Sequence, residues 1–284
     1  MEENIERMQY KCKICGAEAE HKLYRVKEMF FGTRKEFLYF ECERCQCMQI
    51  AAIPDDLGEF YRNGYYSFAV PKMPEVISEQ KIETRILDVG CGAGKWLIEK
   101  YAQGHINLYG CDPFIEKDIF YEPCIHIQKC TIHKMQGTFD LIRLGDSFEH
   151  MSDPYETLVS IRRLLSDEGM CLISMPVFPN AAYDICGVSW YEWDAPRHLF
   201  LHSIKSMEYL CQKAGLRITD IQFNANYLQF VSSLLYQKGI PLMEHTKDMI
   251  KDSFTLEELQ KFTEYTHELN AKGYGDHAVF AIMK

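Results

Sequence analysis

The chain has 284 residues, of which 47% are hydrophobic, so it can bury a full α/β core and leave room for a small second module. The formal net charge of -10 argues against broad binding to nucleic-acid phosphates and favours a small-molecule substrate. No run of about 18 apolar residues occurs, and the acidic start lacks the layout of a signal peptide, so we expect a cytoplasmic protein without membrane insertion.

Four of the twelve cysteines form two pairs with the spacing of metal-binding knuckles. Cys12-x-x-Cys15 and Cys42-x-x-Cys45 are separated by 26 residues, which is the layout of a four-thiolate zinc ribbon. Four thiolates leave no open coordination position, so the predicted zinc is structural and supplies folding energy to a small module. Cys47 lies close enough in sequence to replace Cys45 as the fourth ligand.

An aromatic segment and a polar linker follow the cysteine pairs. Residues 60–68 are too rich in Tyr and Phe for an idle linker, so we expect them to pack on another part of the chain. Residues 71–83 are polar and contain two prolines, which is typical of a linker. We therefore predict a ribbon with its aromatic connector over residues 1–70, a linker over 71–83 and a main domain over 84–284.

A glycine-rich turn follows the first apolar strand of the predicted main domain. The strand beginning at Ile86 runs into Gly90, Gly92 and Gly94, and a helix begins at Lys95. Glycine permits positive φ and lets a small molecule approach the main chain closely. The Gly-x-Gly-x-Gly spacing is tighter than that of dinucleotide sites. The turn predicts a site for a nucleotide-like cofactor, with plain α/β packing as the alternative.

The next predicted strand, residues 107–111, ends in an acidic side chain. Asp112 lies about 20 residues beyond the glycines, where a ribose diol would find its acceptor. We therefore predict Asp112 as the ribose ligand. The alternative is that its carboxylate caps the turn at Pro113.

Strands and helices continue to alternate toward the carboxyl end. An apolar strand at 139–144 precedes a loop and a helix with Leu158, Ile161 and Leu164 on one face, and a second apolar strand covers 170–175. A helix at 203–214, a strand at 216–223, a mostly helical insertion at 228–269 and a last strand at 273–283 complete the pattern. This order predicts a doubly wound, mostly parallel α/β sheet.

Three segments resemble the Rossmann-like class of methyltransferases that depend on S-adenosylmethionine. They are Ile86–Gly94, Phe139–Pro154 with its Glu-His pair, and Trp190–Leu199, and the resemblance covers about residues 80–284. It implies a seven-stranded sheet with an antiparallel last strand, and S-adenosylmethionine as cofactor.

The resemblance also implies roles for individual residues. It places the methionine moiety of the cofactor near Asp88. Asp146 lies in the loop after a predicted strand, and we expect it to border the pocket. Methyltransferases with an amino-terminal zinc module carry a similar Tyr-rich segment over the cofactor, which suggests Tyr65 or Tyr66. The alternative is that these rings fasten the ribbon to the main domain. The predicted cofactor-binding residues are Asp88, Gly90, Cys91, Gly92, Gly94, Asp112, Asp146, Tyr65 and Tyr66.

Two histidines are candidate general bases. His150 and His198 lie in predicted loops after strands, and a neutral imidazole titrates near the working pH. Glu149 could orient one of these rings or hold the cofactor's amino group, and Arg197 could bind an anionic acceptor. The alternative for both is a structural ion pair. Trp190 is predicted to form an apolar wall of the acceptor pocket, or else to lie in the core.

The leading hypothesis is therefore a methyltransferase for a small or medium polar acceptor. Similarity to zinc-bearing sugar methyltransferases favours a nucleotide-linked sugar or a polysaccharide precursor. One rival is an RNA methyltransferase whose ribbon recognises nucleic acid, and another is a non-enzymatic zinc adaptor. An adaptor would be expected to lose the glycines or Asp112, which this chain keeps. The acceptor atom (oxygen, nitrogen or carbon) and the oligomeric state stay open at this point.

Overall fold

The computed structural model describes residues 6–61 and 69–284, which group into two compact units. The first unit contains residues 6–60, Pro176–Tyr209 and Gln222–Val279. The second unit contains residue 61, residues 69–175, Leu210–Ile221 and Phe280–Lys284. The sequence-predicted partition follows chain order, whereas this grouping joins the amino-terminal segment to two later stretches. Across the described ranges, no helix combines the length and the apolar composition needed to cross a bilayer.

The described secondary structure alternates between strands and helices through the middle of the chain. The strands are β1 (Arg7–Lys11), β2 (Glu18–Lys27), β3 (Glu36–Glu41), β4 (Met48–Ile50), β5 (Ile82–Val89), β6 (His105–Cys111), β7 (Ile119–Tyr121), β8 (Ile125–Gln128), β9 (Phe139–Gly145), β10 (Leu165–Pro176), β11 (Phe200–Leu201), β12 (Arg217–Phe223) and β13 (His277–Met283). The α-helices are α1 (Lys95–Ala102), α2 (Pro154–Leu164), α3 (Ala181–Cys186), α4 (Ile204–Ala214), α5 (Leu228–Gln237), α6 (Lys247–Ser253) and α7 (Leu256–Ala271).

The first unit is built on a five-stranded sheet in the order β1-β2-β3-β4-β11, in which neighbouring strands are antiparallel. Tyr39 is fully buried in β3. Its ring packs edge-on against Trp193 at a centroid distance of 5.3 Å, and Tyr24 lies 5.6 Å from the same indole. Aromatic packing therefore forms much of the core on this sheet.

Helices α5, α6 and α7 occupy the range predicted to be a helical insertion. Thr255 and Glu258 form a reciprocal capping box at the start of α7, which satisfies backbone N–H groups that the helix leaves unpaired. Val231, Leu235 and Phe254 form a buried apolar cluster between these helices. Leu259 and Phe262 of α7 pack against this cluster, so it joins the helices within the first unit.

The second unit is built on a mostly parallel sheet whose strands alternate along the chain with helices such as α1 and α2, as predicted. The order is β12-β13-β10-β9-β5-β6-β8-β7, and the pairs β10–β9, β9–β5, β5–β6 and β6–β8 are parallel. The predicted count of seven strands is wrong, because the described sheet has eight. Strand β7 is only three residues long and pairs antiparallel with β8, and so short a segment gives no periodic signal in the sequence.

The core beneath the glycine turn fixes the position of that turn. Leu97 of α1 packs with Ile86, Leu108 and Ile127, which come from three neighbouring strands, and all four side chains are fully buried. Parallel strands end at the same edge of a sheet, so the carboxyl ends of β5, β6 and β9 lie side by side. The glycine turn follows β5, Asp112 follows β6 and Asp146 follows β9.

Candidate functional site

A cavity of about 910 Å³ opens at this edge of the sheet in the second unit. Its volume lies within the range of pockets that hold small molecules and cofactors. Its walls bring together most of the predicted cofactor residues. Those that line it are Asp88, Gly90, Cys91, Asp112 and Asp146, and the candidate base His150 lines it too.

The glycine turn has the conformation that its sequence predicts. Gly90, Gly92 and Gly94 have φ values of 73°, 53° and 84°, which L-residues with a Cβ rarely adopt. A Cβ on Gly90 would lie 2.6 Å from the Cβ of Ser147, and one on Gly94 would overlap Ile127. At these two positions the missing Cβ makes room for neighbouring side chains, which matches the packing alternative, while Gly90 and Cys91 also line the cavity.

Asp112 connects the end of β6 to the glycine turn. Its Oδ2 accepts the backbone N–H of Gly92 at 2.9 Å, and its Oδ1 accepts that of Phe114 at 2.8 Å. The second bond is the turn cap that the sequence offered as an alternative. A carboxylate has about four lone-pair positions, so these two bonds leave acceptor capacity for a diol. Burial raises the pKa of Asp112 despite these backbone bonds.

An ion pair between the buried Asp88 and the partly exposed Arg143 lies beside the glycine turn. The side chain of Asp88 is 2% exposed, and its Oδ1 accepts a hydrogen bond from Arg143 Nη1 at 3.0 Å. Burial raises the pKa of Asp88 to about 6, and Arg143 opposes that shift. Arg143 also lines the cavity, but sequence reasoning missed it. The available signal was a positive charge within the strand, between the apolar residues Ile142 and Leu144.

A ring cluster forms another wall of the cavity. Tyr61 stacks on Phe114 at 5.2 Å, and its hydroxyl lies 3.2 Å from Nδ1 of His150. Nε2 of His150 lies 3.9 Å from Oε1 of Glu149, which is fully buried. This separation is longer than a hydrogen bond, so Glu149 is an acidic neighbour of His150 and its predicted roles stay predictions. The predicted Tyr65 and Tyr66 lie outside the described residues.

Arg197 and His198 belong to the first unit. The guanidinium of Arg197 is buried and donates from Nε to Asp194 at 2.8 Å and from Nη1 to the Phe60 carbonyl at 3.2 Å, with Glu28 3.6 Å away. These contacts match the ion-pair alternative for Arg197. Nδ1 of His198 lies 2.7 Å from the carbonyl oxygen of Glu192, so this nitrogen carries the proton.

Trp190 is a fully buried side chain of the first unit. Its indole N–H donates to Oδ2 of Asp276 at 2.9 Å. Burial raises the pKa of Asp276 to about 6, while the Trp190 bond opposes the shift. This environment matches the core alternative for Trp190.

The four cysteines of the two predicted knuckles converge in the first unit. Their sulfur atoms all lie within 4.8 Å of one another and all four side chains are buried. Cys12 Sγ lies 3.6 Å from Cys45 Sγ, and Cys15 Sγ lies 3.6 Å from Cys42 Sγ. A tetrahedral site with Zn–S bonds of about 2.3 Å requires sulfurs about 3.8 Å apart. The cluster therefore has the dimensions of a four-thiolate metal site.

The two knuckles have equivalent backbone bonding. Gly16 N–H donates to the Cys12 carbonyl and Gln46 N–H to the Cys42 carbonyl, and both donors have positive φ, of 71° and 58°. The hydrogen bond with Cys45 lowers the pKa of Cys12 to about 4, aided by the Gln49 amide 2.9 Å away.

Cys47, the alternative fourth ligand, is not part of this sulfur group. Its Sγ instead lies 3.5 Å from the carbonyl oxygen of Met48 and 4.0 Å from Nδ1 of His202.

A family model described as a methyltransferase domain matches residues 61–221, which is more than half of the chain. No curated protein sequence is significantly similar. One similar solved structure is the cyclopropane synthase MmaA2 from Mycobacterium tuberculosis, with 17% identity, a TM-score of 0.45, and coverage of 72% of this chain and 80% of that chain. Another is a phosphoethanolamine N-methyltransferase 2 from Haemonchus contortus in complex with phosphomonomethylethanolamine and S-adenosylhomocysteine. It has 16% identity, a TM-score of 0.47, and coverage of 98% and 70%. At these scores neither structure indicates the acceptor of this chain.

Proposed function

Since the chain belongs to the family of methyltransferase domains, we propose that it transfers a methyl group from S-adenosylmethionine to a polar acceptor. The observation that carries this proposal is the glycine turn beside the buried Asp112, with Gly90, Cys91 and Asp112 lining one cavity. Close main-chain approach suits a nucleoside, and the carboxylate suits its ribose diol. S-adenosylmethionine supplies a methyl group on a sulfonium sulfur. The methyl moves to an acceptor lone pair, the sulfur keeps the electrons of the broken bond, and the acceptor loses a proton.

The residues of the cavity then have separate tasks. Gly90, Cys91, Gly92 and Gly94 present the main chain, and Asp112 holds the ribose. Asp88 borders the methionine moiety, and Asp146 borders the pocket. Together they hold the acceptor in line with the bond that breaks and exclude water, which is how this reaction class gains rate.

His150 is the proposed base for an acceptor that must lose a proton. It lines the cavity, with Tyr61 at one ring nitrogen and Glu149 near the other. A positioned imidazole that accepts a proton near neutral pH raises the rate of such steps by about 10²–10⁴-fold. His198, whose Nδ1 is held by a carbonyl, remains the second candidate.

We also propose that Cys12, Cys15, Cys42 and Cys45 hold a structural zinc ion. The support is the sulfur spacing and the complete burial of the four thiols. Four thiolates fill a tetrahedral shell, so the ion would supply folding energy and take no part in methyl transfer.

The proposed acceptor is a nucleotide-linked sugar or a polysaccharide precursor. The sequence resemblance to zinc-bearing sugar methyltransferases supports it, and the net charge of -10 disfavours RNA. An RNA methyltransferase would instead show tight binding to RNA that weakens steeply with salt.

The test is native mass spectrometry of the purified chain with S-adenosylhomocysteine, followed by calorimetric titration. We expect one zinc and one S-adenosylhomocysteine per chain, and then methylation of at least one sugar nucleotide in an acceptor screen. Zinc without any binding of S-adenosylhomocysteine in solution would overturn the methyltransferase proposal and favour the adaptor. Methylation of RNA alone would overturn the sugar acceptor.

The affinity for S-adenosylhomocysteine should depend on pH through Asp88. Its pKa of about 6 means that the carboxyl is ionised above pH 6 and neutral below it, and only the ionised form attracts the ligand's ammonium group. We expect affinity to fall by about tenfold per pH unit below pH 6. Calorimetry between pH 5 and 7.5 checks this, with Asp88→Asn as a control that should bind weakly and without this slope. The same slope in Asp88→Asn would assign the effect to another group, such as Asp112.

A further inference from the structure

Arg143 is a charged residue of the cavity wall to which the proposed reaction assigns no task. Its side chain is 26% exposed and lines the cavity. Asp88 lies directly opposite it in the β5–β9 register and accepts a hydrogen bond from its Nη1. A guanidinium carries five N–H donors in a planar fork that fits a carboxylate. The Asp88 bond uses one of the five.

Two neighbours fix the position of this guanidinium. It lies over the ring of Trp96 at 4.7 Å from the centroid, a cation–π contact that holds the planar group against the first turn of α1. Gly145 leaves the space it occupies, because a Cβ there would overlap the guanidinium nitrogens. Arg143 is therefore held in place before any ligand binds, so its side chain has little conformational freedom left to lose on binding.

The ion pair presents two opposite charges to one ligand. Asp88 and Arg143 lie 3.0 Å apart beside the glycine turn. An α-amino acid carries an ammonium and a carboxylate on one carbon, with the complementary arrangement of charges. The methionine moiety of S-adenosylmethionine ends in this group.

We propose that Arg143 binds the carboxylate of the cofactor's amino-acid end while Asp88 binds its ammonium. This inference rests on the proposed function, because it concerns the same ligand. Arg143 is then a binding residue and not only a partner that positions Asp88. A role limited to positioning would affect every ligand of the cavity equally.

The test compares two ligands and three proteins by calorimetry at pH 7.5. The ligands are S-adenosylhomocysteine and its decarboxylated analogue, which keeps the ammonium but lacks the carboxylate. The proteins are the unmodified chain, Arg143→Gln and Arg85→Gln. Arg85 is a matched control, because it also lies in a strand of this sheet and over aromatic rings, those of Tyr109 and Phe139, but it does not line the cavity.

We expect the unmodified chain and Arg85→Gln to prefer S-adenosylhomocysteine by about 10- to 100-fold, the effect of a charge-assisted pair. In Arg143→Gln this preference should disappear. An equal loss of affinity for both ligands in Arg143→Gln, with the preference retained, would overturn the proposal. If Arg143→Gln does not fold, Arg143→Lys serves instead, and it should reduce the preference because an ammonium cannot form the fork. Failure of the unmodified chain to bind either ligand would overturn the proposed function itself.

Discussion

Cys45→Ala is expected to reduce bound zinc from one ion per chain to none and to lower the thermal unfolding midpoint by more than about 10 °C. Cys45 Sγ lies 3.6 Å from Cys12 Sγ within the buried sulfur group. A structural zinc site contributes about 10 kcal/mol or more of folding free energy, and three thiolates hold the ion much less tightly than four. Native mass spectrometry measures the metal, and circular dichroism measures the unfolding midpoint.

Cys47→Ala is the matched control for this variant. Cys47 is equally buried and only two residues away, but its sulfur lies near Met48 and His202 and not within the sulfur group. This variant should keep one zinc and lose about 1 kcal/mol of stability, from the missing sulfur contacts. Loss of zinc in Cys47→Ala with retention in Cys45→Ala would make Cys47 the fourth ligand.

Asp112→Ala is expected to weaken the binding of S-adenosylhomocysteine by about 100-fold or more. Two charge-assisted hydrogen bonds to ribose hydroxyls are each worth about 1.5 kcal/mol or more, and 1.4 kcal/mol is a factor of ten. The variant also removes the acceptor for the Gly92 N–H, so the glycine turn loses a constraint. Calorimetry measures the affinity, and circular dichroism confirms that the fold is retained.

Asp140→Ala provides the comparison for Asp112→Ala. Asp140 also accepts a backbone N–H, that of Arg85 at 2.9 Å, but it does not line the cavity. We expect its affinity for S-adenosylhomocysteine to equal that of the unmodified chain. Equal affinities in Asp112→Ala and the unmodified chain would exclude Asp112 as the ribose ligand.

Much of the second unit was predictable because its signals are local. The glycine turn, the acid after the next strand and the alternating strands and helices each depend on short stretches of sequence, and the structure contains all of them. Strand β7 was not predictable, since three residues show no periodicity and its partner β8 fixes its conformation.

The parts of the site that were missed depend on pairs of residues that are distant in sequence. Arg143 meets Asp88 only because β9 pairs with β5 in parallel, and Tyr61 reaches His150 across 89 positions. The sequence shows Arg143 only as a charge within a strand, and nothing in it links either residue to its distant partner. The four cysteines were found because their spacing within each pair is itself diagnostic.

The order of the chain in the first unit bears on how the protein is made. Strand β4 pairs with β11, which lies about 150 residues later in the sequence and is therefore synthesised later. Until then β4 lacks its partner β11, and an unpaired strand edge is prone to pairing with other chains. A metal ion captured early by the two knuckles would hold this incomplete sheet together during synthesis. Zinc supply at the time of translation would then govern the yield of folded protein more strongly than zinc added afterwards.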